Sequence, residues 1–487
     1  MAAVPELRIR AVNAAPPSPR GRHVLYWMNA ARRPGHSFAL DRAAEWSRRL
    51  RRPLLVLEAL RCDYPYASDR LHAFVLQGMA DNARAFAAAG IGYHPYLEPE
   101  PGRGRGLLAA LAAQTCVVVT DDFPGFFLPR AVEAAGRALP VRLEAVDSNG
   151  LLPLRAAAPV FPTAYAFRRF LQRELPSHLE HAPSARPLLR SGLAGAKVPR
   201  AVARRWPAAD AALLAAEPAA LRRLPVDHSV PPAAIRGGSR AGSAALALFL
   251  RERIARYGER NHPDADAASG LSPYLHFGHL SAHQAFAGLA RREGWGPSRL
   301  GRKATGRRQG WWGMSEPAEA FLDQLVTWRE LGLNMAAKRP DAAAYESLPR
   351  WARETLERHA GDRRDPVYGP EALAEARTHD PVWNAAQTEL RREGRIHNYL
   401  RMLWGKKILE WTRSPREALA VMLELNDRYA LDGRDPNSLT GIFWVLGRYD
   451  RPWGPERPVF GTVRYMSSAA TLRKLRMRRY LETYRGP

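Results

Sequence analysis

Across residues 1–150, short apolar runs alternate with stretches of helical spacing or helix-forming composition. The runs at 23–28, 54–57, 91–93, 116–120 and 141–145 predict strands, and 40–50, 68–88, 106–113 and 129–138 predict helices between them. Strand and helix alternating at this interval specify a parallel sheet with crossover helices. Thr120-Asp121-Asp122 falls at the carboxyl end of one strand, where such sheets bind ligands. From about 184 to 242 Pro, Ala, Arg and Gly dominate, which reads as a linker or a long covering connection. Beyond 243 the β-branched runs stop and helical patterns continue through Leu481, so an α/β half is followed by an α-helical half. No fixed-period repeat marks a solenoid.

Composition narrows the class. With 487 residues, 46% hydrophobic and 25% charged, the chain is an ordinary globular sequence of two or three domains. No apolar run reaches the roughly 18 residues of a membrane span. Cys62 and Cys116 lack metal-ligand spacing, residues 1–22 lack an apolar signal core, and a reducing cytosol is the expected compartment. Lys and Arg number 73 against 48 Asp and Glu, a net charge of +25 that attracts polyanions. Only six of those cations are lysines, so the excess also fits the coding bias of a GC-rich genome.

Four segments can carry chemistry. Ser269-Gly270-Leu271-Ser272-Pro273-Tyr274-Leu275-His276-Phe277-Gly278 sets hydroxyls and amides at a helix start, which either cap that helix or hold a phosphate. In the second, Arg401, Trp404 and Trp411 recur at helical spacing and share a face, with Trp383-Asn384-Ala385-Ala386-Gln387 upstream. Two indoles seven residues apart on one helix lie roughly 10 Å apart, which suits either electron hopping or a packed aromatic stripe. The third, Asn426 through Asp432-Gly433-Arg434-Asp435-Pro436-Asn437, supplies carboxylates that either cap helices or pair with Arg401 in a pocket. The fourth, Arg302-Lys303-Ala304-Thr305-Gly306-Arg307-Arg308-Gln309-Gly310-Trp311-Trp312, interleaves cations and rings, which suits phosphate contact and base stacking or a solvated loop. No Walker-type loop, zinc spacing or nucleophile elbow occurs.

In this order these segments resemble the class II cyclobutane pyrimidine dimer photolyases of the photolyase/cryptochrome superfamily. The match runs through Leu271 to Gly278, Arg329-Glu330-Leu331, Thr378-His379-Asp380, Trp383 to Gln387, Arg401-Met402, Lys406-Lys407-Ile408-Leu409-Glu410-Trp411, Leu431 to Asn437, and Glu456 to Gly461 with Arg464-Tyr465-Met466. The resemblance implies an α/β, Rossmann-like parallel-sheet antenna domain at 1–150, a connecting segment at 151–242, and an all-α FAD-binding catalytic domain at 243–487. It implies that Tyr257, Ser269, Leu271 and Ser272 hold the phosphates and ribityl chain, while Asn398, Arg401, Asp432 and Asn426 surround the isoalloxazine. Trp404, Trp383 and Trp411 become the electron route from the surface. Met402 and Trp444 become the apolar wall of the lesion pocket, protonated Glu330 its donor to a pyrimidine carbonyl, and Arg451, Trp453, Arg457 and Arg464 the contacts to the lesion strand.

The implied activity is light-driven splitting of cyclobutane dimers by electron transfer from reduced, anionic FAD, a carbon-carbon lyase reaction without metal. The partner is UV-damaged DNA, double- or single-stranded. The expected protein is a cytoplasmic monomer, nucleoid-associated if bacterial, that touches no membrane and needs no obligate protein partner. A cryptochrome-like photoreceptor without repair activity is the alternative. A (6-4) photoproduct enzyme would want a histidine in the lesion pocket, and His276 and His279 lie in the helix-start motif instead. The chain departs from the family pattern in Asn334-Met335-Ala336-Ala337 after Arg329-Glu330-Leu331, in a shorter stretch from Trp444 to Trp453, and in an expanded 302–312. Residues 31–38 also depart, which leaves an antenna chromophore, of deazaflavin type or another, open.

Overall fold

Strands form where the apolar runs are covered on both faces. A computed structural model of the protein describes residues 3–188 and 192–485. Its sheet comprises β1 (Ile9–Ala11), β2 (His23–Met28), β3 (Leu54–Leu60), β4 (Gly92–Leu97), β5 (Thr115–Asp121) and β6 (Arg142–Val146), in the order β1-β6-β5-β2-β3-β4. All neighbours are parallel except β1, which runs antiparallel to β6 with Ile9 opposite Val146. Along β2, Val24, Tyr26 and Met28 enter one core with Phe38 and Leu40, while Leu25 and Trp27 enter the other with Leu107 and Leu111. That alternation into two apolar layers is why the run reads as continuous hydrophobe. The expected parallel α/β sheet is present, and β1 is the strand the pattern did not reveal.

The carboxyl end of β5 is used to build a loop. Tyr26 Oη donates to Asp121 Oδ1 at 2.8 Å, and the amides of Asn29, Ala30 and Ala31 donate to Oδ2 at 2.9, 2.8 and 3.0 Å. Asp122 pairs with Arg10 and Arg155. The Asp121-Asp122 step, expected at a ligand-binding edge, thus has its carboxylates committed within the protein.

The chain divides into two compact units, one of Met1–Ala158, Glu174–Ala247 and Leu271–Pro297, the other of Pro159–Arg173, Leu248–Gly270 and Ser298–Pro487. Within the first, the Pro-, Ala- and Arg-rich stretch is stitched to the sheet. Leu54 N donates to the Ala194 carbonyl and Ala196 N to the Leu54 carbonyl, both at 2.9 Å, and Trp206 is buried against Leu107 and Leu111.

The second unit is helical. Three helices start on one device, an acidic or hydroxyl N-cap followed by proline: Asp380 before Pro381–Glu393, Ser414 before Pro415–Tyr429, and Asp435 before Pro436–Val445. The side-chain oxygen satisfies first-turn amides, and proline occupies a position whose N–H has no helical partner. Helix Asn398–Trp411 packs among them, and a Cβ at Gly405 would stand 2.6 Å from Val445 Cγ2 and 3.0 Å from Met422 Sδ. Helix Arg329–Lys338, entered through the π turn Asp323–Trp328, lies as close to Pro436–Val445. A Cβ at Gly332 would meet Thr440 Oγ1 at 2.7 Å and the Pro436 carbonyl at 2.8 Å. Two glycines therefore set how closely the helices bearing Glu330, Arg401 and Trp444 approach.

Candidate active site and aromatic relay

A polar chain is buried where three of these helices meet. Arg401 Nη2 lies 3.4 Å from Asp432 Oδ1, and Nη1 donates to Ser438 Oγ at 2.9 Å. Ser438 Oγ donates to Asn426 Oδ1 at 3.2 Å, and Asn426 Nδ2 donates to the Gly433 carbonyl at 2.7 Å. Asn426 is 2% exposed and Asp432 7%, so the network is desolvated and its orientation fixed. Gly433 is required by this approach, because a Cβ there would lie 2.5 Å from the Asn426 carbonyl. The sequence-predicted set Arg401, Asp432 and Asn426 is thus brought together, joined by Ser438, which the sequence reading did not single out. Asn398 stands exposed as the first residue of its helix.

A buried Glu389 holds the turn before that helix, accepting from His397 N and Tyr480 Oη at 2.8 Å each. Desolvation raises the Glu389 pKa and lowers that of His397 to about 4. Tyr257 is buried edge-on to Phe249 and Phe321, with the Arg260 guanidinium 4.7 Å from its ring, and burial pushes its hydroxyl up to about 12. Ser269 is half-buried in the same unit. Leu271 is buried and Ser272 exposed; both belong to the sheet-bearing unit, where Ser272 opens helix Ser272–His276.

The tryptophans form an array. Trp383 Nε1 donates to the Trp404 carbonyl at 3.0 Å, and Trp404 Nε1 to Gln387 Oε1 at 2.9 Å. The Trp383 and Trp411 rings meet edge to face with centroids 5.6 Å apart. Trp383, Trp404 and Trp411 are 0%, 2% and 2% exposed, so none of the three reaches water. Two further rings do. Tyr368 stands 5.5 Å from Trp411, His379 stands 5.3 Å from it, and the Tyr368 hydroxyl lies 2.8 Å from His379 Nδ1. His379 is exposed and Tyr368 half-buried.

Glu330 is buried on Arg329–Lys338, and Met402 and Trp444 are half-buried on the two neighbouring helices. Arg464 makes a two-pronged pair with Asp450 at 2.9 and 3.2 Å and stacks on both Trp453, at 3.9 Å, and Trp444, at 5.4 Å. Beneath Trp444 lies Lys406, fully buried, whose Nζ donates to the Val445 carbonyl at 2.5 Å and stands 5.4 Å from the indole. Burial brings its pKa down to about 7. Arg451 and Arg457 are exposed, stacked on Trp453 and Tyr465. Among the described residues no group of three His, Cys, Asp or Glu could hold a metal ion, and no helix is long and apolar enough to cross a membrane.

The chain thus carries a parallel α/β unit and a helical unit that holds this buried network, and the photolyase/cryptochrome superfamily is where proteins similar to it are found. A solved bacterial class III photolyase from Agrobacterium tumefaciens shares the fold, covering 95% of this chain and 86% of its own at a TM-score of 0.70 and 17% identity. Deoxyribodipyrimidine photo-lyase of Methanothermobacter thermautotrophicus is 34% identical over 488 residues, 98% of each chain. The protein of that name from Oryza sativa subsp. japonica is 33% identical over 97% of this chain and 89% of its own, and that from Potorous tridactylus 31% identical over 92% and 79%. The chain belongs to the deoxyribodipyrimidine photo-lyase family and is an enzyme of that kind. No family model matches it. The relatives' names favour the lyase over the photoreceptor alternative, and the family implies FAD.

Proposed function

We propose that this enzyme repairs cyclobutane pyrimidine dimers in DNA by light-driven electron transfer, in the manner of the class II photolyases. The observation that carries the reading is the buried chain Asp432–Arg401–Ser438–Asn426, with an aromatic array leading away to solvent. The residues fit FAD. Buried Arg260 Nε, beside Tyr257, finds no hydrogen-bond partner among the described residues. A donor left unpaired in a desolvated cradle suits an anionic group.

In this reading Tyr257 and Ser269, in the helical unit, hold the phosphates and ribityl chain. Asn398, Arg401, Asp432 and Asn426 surround the ring system, with the Arg401–Asp432 pair fixing a positive charge beside it. Bound reduced FAD, excited by near-UV or blue light, supplies the electron that opens the cyclobutane ring and recovers it when the product forms. The chain's own residues position the lesion. A dimer must leave the duplex stack to be reached, and Met402 and Trp444 offer it an apolar wall. Glu330, neutral, donates to a pyrimidine carbonyl. Trp453, Arg451 and Arg457 contact the lesion strand, and Arg464, oriented by its two-pronged pair with Asp450, keeps Trp444 and Trp453 in place as well as facing that strand.

Electrons enter along Tyr368, Trp411, Trp383 and Trp404. Because Trp411 is buried, the surface end is Tyr368, which gives its hydroxyl proton to His379 Nδ1 as its electron leaves. The test is to incubate the reduced protein with dimer-containing DNA and measure dimer content after blue light and after darkness. Loss confined to the illuminated sample is expected; equal loss in both, or none in either, overturns the proposal.

A further inference from the structure

We propose that the loop 302–308 is a second DNA-contact surface, engaging the phosphate backbone of the duplex that flanks the lesion. Arg302, Lys303, Arg307 and Arg308 are exposed, and none of the four forms an ion pair among the described residues. Four unpaired cations within seven residues repel one another, so the loop holds its shape only because other groups pin it. The pins are built from the interior. Arg168, 7% exposed, pairs with Asp323 at 2.8 Å and donates Nη1 to the Gly306 carbonyl at 3.1 Å. Gln172 accepts from Gly306 N at 2.7 Å and donates to the Arg307 carbonyl at 3.0 Å. Glu319 accepts from Gly310 N and Met314 N, and Gly301 N donates to the Trp311 carbonyl at 2.7 Å.

Every pin engages backbone or a neutral atom of the loop and leaves its cations free. Beside them stands Tyr165, 57% exposed, its ring so close to Gly306 that a Cβ there would lie 2.8 Å away. A preordered row of cations with an exposed ring matches a sugar-phosphate backbone, which carries a phosphate about every 3.4 Å per strand. Position agrees with that partner. Glu319, which holds the loop, precedes Glu330 by eleven residues of nearly continuous helix. At about 1.5 Å per residue that is some 16 Å, or roughly five base pairs from the lesion pocket.

The inference rests on the repair reading for the identity of the polyanion and for the placing of the lesion pocket at Glu330, not for the loop's ordered cations. The test is binding of the holoenzyme to long undamaged and dimer-containing duplexes across a salt titration. It compares the parent with R302Q/K303Q/R307Q/R308Q and with R200Q/R204Q/R222Q/R223Q, which removes equal charge from exposed sites of the other unit. Each phosphate contact contributes about 0.9 to the slope of log affinity against log salt. The loop variant is expected to lose up to about 3.6 from that slope on both duplexes and to split dimers in a short oligonucleotide at the parental rate. The second variant is expected to keep the parental slope. An unchanged slope in the loop variant, or equal losses in both variants, overturns the proposal. If dimers are not split by any of the proteins while the loop variant alone loses slope, the repair reading fails and the duplex contact stands.

Discussion

Substituting Gly332 by alanine tests whether the closeness of two helices sets the site. The added Cβ would lie 2.8 Å from the Pro436 carbonyl and 2.7 Å from Thr440 Oγ1. Ordinary contact begins near 3.4 Å, so helices Arg329–Lys338 and Pro436–Val445 must separate by about 0.6 Å (3.4 − 2.8). The obstacle is backbone, which cannot rotate aside as a flexible side chain could. Overpacking of this kind costs about 1–3 kcal/mol, and alanine's higher helix propensity returns at most about 1 kcal/mol. The same separation moves Glu330 away from Trp444 and Ser438, and a misplacement near 1 Å can cost on the order of a hundredfold in rate.

Gly441, on the facing helix, supplies the control. A Cβ there meets only Arg401 Cδ at 3.8 Å, so Gly441→Ala should be neutral or slightly stabilising. The assays are urea unfolding and single-turnover repair of a dimer oligonucleotide by prereduced enzyme under saturating light. Gly332→Ala should be less stable by about 1–3 kcal/mol and repair more slowly, while Gly441→Ala matches the parent in repair. A Gly332→Ala protein as stable and as active as the parent would refute the argument.

Trp383→Phe should slow photoreduction of oxidised enzyme sharply while sparing repair by flavin reduced beforehand, because it removes the ring that bridges Trp404 and Trp411; parental photoreduction would contradict the relay. Tyr368→Phe should keep the initial light-induced charge separation but shorten its lifetime, read by transient absorption, since the surface hydroxyl and its His379 acceptor are lost; an unchanged lifetime would assign the terminus elsewhere. Lys406 carries a pKa near 7 when folded and an ordinary value of 10.5, with Asp450 and Arg464 facing it. Between those values the unfolded chain binds a proton that the folded one has released, so stability rises with pH, by up to about 1.4 kcal/mol per unit from this group. Lys406→Met should lose that slope in urea unfolding compared at pH on either side of the window, and an equal slope in both proteins would mean Lys406 stays charged.

The sheet was legible because β2, β3 and β5 are apolar on both faces, while β1 was not. Ile9–Ala11 is three residues long and only half-buried, and it is held by backbone pairing to β6 rather than by a pattern. Asp380-Pro381, Ser414-Pro415 and Asp435-Pro436 advertise their helix starts, since cap and proline act through local backbone chemistry. Trp404 and Trp411 share a helix and could be grouped by spacing. That Trp383, from another helix, touches Trp411 depends on how helix Pro381–Glu393 packs on helix Asn398–Trp411, which no spacing encodes. Tyr368 sits in an irregular stretch before Gly369 and is placed by its own amide, which donates to the Trp411 carbonyl at 3.0 Å. Lys406 was visible only as part of a motif, because lysine is rarely buried and nothing local marks this one as an exception.

The central claim is that the electron used to open the lesion comes back. Counting dimers split per enzyme-bound reduced flavin, anaerobically, under blue light and without added reductant, tests it most directly. Many dimers should be split per flavin with the flavin still reduced at the end. One dimer per flavin with matching flavin oxidation, or splitting that continues in darkness, would contradict the account.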